Sequence, residues 1–87
     1  TIETVYSLLD GEYEFIEAEI LEKSELLNKS IKDSNLPEHI RIGAVLRADK
    51  VIIPRSDFIF EKDDIVVFLA KRELLQEVES IFRLSSI

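Results

Sequence analysis

Cysteine and methionine are absent and histidine occurs once in these 87 residues. The chain therefore has no thiol nucleophile, no disulfide staple and no His/Cys cluster for a metal. A reducing cytoplasm fits that composition. Glycine and proline appear only twice each, and no Gly/Ser linker or low-complexity tract divides the chain, so one compact unit is expected. Gly11 and Gly43 stand alone, which removes the glycine-rich loop that cradles a nucleotide phosphate. No apolar run approaches the length of a membrane span. Glu3 and Asp10 bracket "TVYSLL" without a basic leader, unlike a signal peptide. Basic residues are in deficit, with a formal charge of −7, and polyanions such as nucleic acid or an anionic membrane reward the opposite balance. A start at Thr1 rather than Met reads as a domain excised from a longer protein.

Apolar residues are plentiful and their spacing is informative. A chain of this size buries roughly 60–65% of its unfolded surface, enough for one modest core. Thr4–Leu9 reads as a lead-in segment or short strand ending in the turn pair Asp10-Gly11, so residues 1–10 are set apart from a domain over 11–87. From Glu14 to Ile20, Ile16, Ala18 and Ile20 alternate with Glu17 and Glu19, the signature of a half-buried strand. "KSELLNKSIKDSNLP" offers Ser24 and Ser30 as N-caps, Leu27 and Ile31 as an apolar pair and Pro37 as a stop, giving one or two short helical turns. Ile40, Ile42, Ala44 and Leu46 share one face of a central strand against Arg41, Gly43, Val45 and Arg47. Ala48-Asp49 closes a hairpin onto Val51–Ile53, and Pro54, lacking an N–H, ends that strand.

Phe58–Phe60 is a brief extended piece, "EKDD" a turn, and Ile65–Leu69 a strand apolar on both faces. Leu74, Leu75, Val78, Ile81 and Phe82 form the stripe of an amphipathic C-terminal helix, with Glu73 and Glu77 near its N-terminus. The expected fold is α+β: a small, mainly antiparallel sheet with one short helix and a C-terminal amphipathic helix.

Asp57, Glu61, Asp63 and Asp64 put four carboxylates within eight positions, and catalysis is one reading of that knot. General acid–base work needs a cleft that separates their pKa values, whereas these acids sit where strand alternation breaks. Turn formation, with Asp57 and Asp64 bonding backbone N–H groups, is the better reading. A calcium loop would need alternating acids around a central glycine, which is missing. His39 is read as a solvated loop residue, with pH sensing as the lesser alternative. Ser85 and Ser86 have no elbow motif to activate them. Neither a catalytic nor a metal-binding set is assigned.

The order of "LLNKS", "SNLP", a strand ending in Arg47, "IIPRSD" and Asp64 before the last apolar strand resembles the TrkA C-terminal domain family, also called RCK-C. Asn28, Ser56 and Asp63 stand where that family carries glycine, and Asn and Asp are the non-glycine residues that best tolerate positive φ. Ser56 suits such a position less well. The resemblance implies a non-catalytic regulatory and dimerising domain of a cytoplasmic regulator of potassium uptake, held peripherally at the inner face of the membrane by a transporter subunit. NAD or ATP would belong to a separate upstream nucleotide-binding domain. It also implies a homodimer and a small anionic ligand, such as a cyclic dinucleotide, contacting Ile40, Arg41 and Pro54. Read from its own position, Arg41 is more simply a solvated strand-face residue. The alternatives are a structural connector with no ligand, or the regulatory domain of another ion transporter. Neither nucleic-acid binding nor membrane insertion is expected.

Overall fold

The computed structural model describes residues 2–8 and 11–83. Asp10, Ser85 and Ser86 lie outside them. Five strands, β1 (Ile2–Leu8), β2 (Tyr13–Glu19), β3 (Arg41–Arg47), β4 (Lys50–Ile52) and β5 (Ile65–Lys71), form one antiparallel sheet in the order β1-β2-β5-β3-β4. A 3₁₀ turn, Arg72–Leu74, leads into the helix α1 (Leu75–Arg83). The α+β, mainly antiparallel architecture is as expected.

Alternation explains which face is buried. Ile16 and Ala18 on β2 and Val66, Phe68 and Ala70 on β5 are buried, and the residues between them are not. Val78 and Phe82, four apart on α1, close the same side, with Phe82 stacked on Phe68 at 5.1 Å between ring centroids. Ile20, Leu26, Ile40, Val45 and Phe60 complete the core.

Two strand readings need correction. Ile42 pairs with Phe68 and Ala44 with Val67, so Gly43 is an extra residue, a bulge. It reverses the alternation: Ile40 and Ile42 face the core, but beyond it Val45 turns inward and is fully buried, while Ala44 and Leu46 turn out. On β5, Ile65, Val67 and Leu69 are only half-buried, so this central strand is covered on one face and not on both.

Residues 21–36 form successive turns closed by i to i+3 bonds, Leu27 N to Ser24 O, Lys29 N to Leu26 O and Asp33 N to Ser30 O, without becoming a helix. Ser24 and Ser30 still cap, their hydroxyls accepting from Leu26 N and Asp33 N. The helix fails because this backbone is drawn sideways: Asn28 N donates to Phe60 O, and Ile31 N to Phe58 O. Asn28 and Asp63 occupy the left-handed region at φ 65° and 72°, as their replacement of glycine implied, and Asn35 and Ala48 join them at 53° and 54°. Ala48-Asp49 is the two-residue loop between Arg47 and Lys50, and β4 ends before Pro54.

Candidate functional site

The charged knot resolves into one buried group and three surface ones. Asp64 is 1% exposed. It accepts Arg47 Nε and Nη2 at 2.8 and 2.7 Å and the Glu61 backbone N–H at 2.8 Å, so it holds its turn and also anchors β3. The same guanidinium donates to Ile59 O and lies over the Phe58 ring. Hydrogen bonding with Asp64 raises the Arg47 pKa, joined by the charges of Asp64 and Glu61 and opposed by desolvation. Asp57 does not act as expected. The 55–58 turn closes through Phe58 N to Arg55 O, and the Asp57 side chain makes no hydrogen bond among the described residues. Glu61 and Asp63 are exposed. No group of three potential metal ligands converges among the described residues.

His39 is not solvated. Its side chain is 20% exposed, both ring nitrogens are buried without hydrogen-bond partners, and Nε2 lies 3.7 Å from Glu77 Oε2 on α1. Proline-bounded loops read as solvent-facing by default, but the helix packs back over this one.

Ile40, Arg41 and Pro54 line one groove of about 470 Å³. Ile40 supplies its buried floor, Arg41 opens β3 at the surface, and Pro54 follows the end of β4. The wall opposite comes from the turns of residues 30–37, held against residues 55–59 by Lys32 N to Ser56 O, Ile31 N to Phe58 O and the Ser30–Ile59 bridge. That stitching brings in Lys32 and Arg55, which sequence reasoning did not single out. Arg55 adjoins Pro54 in the motif, whereas Lys32 carried no signal.

All three ionisable residues lining this groove are cations, in a chain with 18 acidic and 11 basic residues. Among the described residues, none of the three forms an ion pair; the Arg41 guanidinium reaches only the Ile40 carbonyl, at 3.4 Å. A second groove of about 500 Å³ lies between Gly11 and Tyr13 on one side and Lys71 and Glu73 on the other. Its cations are engaged, Lys71 over the Tyr13 ring and Arg72 beside Glu14. Unpaired positive charge over an apolar floor makes the first groove the candidate anion site.

The fold is that of RCK_C domains. An S. agalactiae BusR RCK_C domain dimer, in complex with c-di-AMP, matches with a TM-score of 0.70 and 26% identity over 80% of this chain and 96% of that one. BusR in complex with its busA-promotor DNA matches in fold at a TM-score of 0.72 and 24% identity, over 94% of this chain and 42% of that one. The TrkA-C domain profile matches residues 15–83, and the chain belongs to that family. It is 43% identical over 97% of its length to the Trk system potassium uptake protein TrkA of Azorhizobium caulinodans, and 34% identical over 94% to that of Vibrio alginolyticus. It spans 18% and 19% of those two relatives. No helix among the described residues is long and apolar enough to cross a membrane.

Proposed function

We propose that this chain is a non-catalytic regulatory domain of a cytoplasmic regulator of Trk-type potassium uptake, acting as a dimer that takes a small phosphate-bearing ligand. The observation that carries the ligand reading is the groove of Lys32, Arg41 and Arg55, three cations without ion-pair partners above Ile40 and Pro54. An arginine guanidinium free of an ion pair is suited to a bidentate phosphate contact. Family membership and the similarity to TrkA proteins support the transport setting, and the c-di-AMP complex of the BusR domain supports a cyclic dinucleotide as the ligand class. In this reading the two phosphates meet Arg41 and its neighbours, while Ile40 and Pro54 contact the bases. NAD or ATP is assigned to a separate domain, and contact with the transporter subunit is made by the longer protein.

Calorimetric titration of the chain with cyclic di-AMP tests this directly. Saturable binding is expected, weakened at least about tenfold by Arg41→Ala through loss of a charge-assisted bond. Absence of binding at millimolar ligand would leave a connector domain without a ligand.

A further inference from the structure

Among the serines whose side chains are described, hydroxyls are engaged at every position but one. Ser24 and Ser30 are buried turn caps, Ser34 donates to the Ser30 carbonyl, and Ser80 donates to the Gln76 carbonyl on α1. Ser56 is exposed, and its hydroxyl makes no hydrogen bond among the described residues. It stands where the sequence pattern favoured glycine, yet its backbone is outside the left-handed region, so the side chain carries no strain. Ser56 O accepts Lys32 N at 3.0 Å, which ties the residue to the wall of the cationic groove. The N–H groups of Ser56 and Asp57 enter no backbone hydrogen bond among the described residues, and the turn is closed by Phe58 N to Arg55 O alone. A surface segment so lightly held can be drawn out into the extended form that a modifying enzyme's cleft accepts.

We propose that Ser56 is a phosphorylation site whose phosphate closes the anion groove. The inference rests on the preceding reading for the ligand and adds the regulation of its site. The donor is ATP on a protein kinase: Ser56 Oγ attacks the γ-phosphorus, and the bond from that phosphorus to the β,γ-bridging oxygen breaks. ADP leaves, and the hydroxyl proton passes to the kinase's catalytic base. The product carries a charge of about −1.5 to −2 and three acceptor oxygens. Lys32, Arg41 and Arg55 line the same groove without ion-pair partners among the described residues, and they are the cations such a group pairs with. Asp57 adjoins Ser56 in sequence, but it is exposed and does not line the groove, so solvent screens its repulsion. Tethering decides the contest with a free ligand. A phosphate fixed to the wall acts at an effective concentration on the order of millimolar, against which a diffusing anion at micromolar concentration loses the cations.

Two measurements test it. Phosphopeptide mapping by mass spectrometry, on the protein isolated from its own cells grown in potassium-rich and potassium-poor media, should find phosphate on Ser56 in one of the two. Ser56 unmodified in both would overturn the proposal. Calorimetry with cyclic di-AMP then compares the wild type with the chain carrying phosphoserine at position 56, assembled by chemical ligation. The phosphorylated chain should bind at least about 30-fold more weakly, and removal of its phosphate by a phosphatase should restore the wild-type affinity. Equal binding by the two chains would overturn the proposal and leave the ligand reading standing. Should the unmodified wild type bind no cyclic di-AMP, that reading fails by itself, and phosphorus NMR of the phosphorylated chain decides this one. Cations drawn to the phosphate lower its second pKa below about 6, and Arg55→Ala should return it towards that value. A phosphate that titrates as in a free peptide, with or without Arg55, would overturn the closure of the groove.

Discussion

Arg47 and Asp64, 17 residues apart, are joined by two parallel hydrogen bonds of 2.8 and 2.7 Å that fasten the end of β3 to the mouth of β5. Asp64 is the buried partner and Arg47 is 32% exposed. Losing the arginine therefore strands a charge away from water, whereas losing the aspartate leaves a cation that can turn to solvent.

Arg47→Ala should cost about 3 kcal/mol, the lower end of the range for breaking a buried pair, because solvent screens part of the interaction. Arg47→Lys should recover only a part, since an ammonium cannot make the two-pronged contact. The arginine's pKa is raised on folding, so its contribution is fully present below the unfolded value and is lost only as pH rises through the folded one. That window is strongly alkaline. Urea unfolding should show the Arg47→Ala deficit unchanged between pH 7 and 9.

Ala48 and Asp63 hold left-handed backbone at φ 54° and 72°. The conformation costs an L-residue roughly 1–2 kcal/mol, and glycine returns part of this as extra unfolded-state entropy. Ala48→Gly and Asp63→Gly should each stabilise by up to about 1 kcal/mol. A loss of that size at Asp63, measured by thermal or urea unfolding, would show its carboxylate capping the turn.

His39 keeps both ring nitrogens buried and without a hydrogen bond beside α1, with Glu77 Oε2 3.7 Å from Nε2. An unmet buried donor costs roughly 1–3 kcal/mol. His39→Leu should leave stability unchanged or raise it by about 1 kcal/mol. A comparable loss in urea unfolding would reveal a bridging water or a hydrogen bond to Glu77.

NAD and ATP should give no saturable calorimetric isotherm at micromolar concentration. Gly11 and Gly43 lie in separate turns and strands, and neither opens a helix that could hold a pyrophosphate.

The parts of this fold legible in sequence are those fixed by local periodicity. Ile16–Ala18–Ile20 and Val78–Phe82 declare their faces by spacing alone, and Asn28 and Asp63 declare left-handed turns by side-chain type. Strict alternation misplaces Val45 because a single bulge residue at Gly43 inverts a period of two, and the one local sign of it is that isolated glycine within the strand. Asp64 was legible as a turn residue but not as the partner of Arg47, which depends on β5 entering between β2 and β3. The groove was legible through Ile40, Arg41 and Pro54. Lys32 joins it through tertiary hydrogen bonds to residues 56 and 58 by its own and Ile31's backbone, beyond the reach of any local pattern.

The central claim is a dimer that takes an anionic ligand across two such grooves, and the most direct measurement is sedimentation equilibrium during a cyclic di-AMP titration. A ligand that binds the dimer and not the monomer must strengthen dimerisation by mass action. The dimer dissociation constant should fall steadily as ligand is added, saturating at one ligand per two chains. A constant that stays unchanged at millimolar cyclic di-AMP would contradict the account.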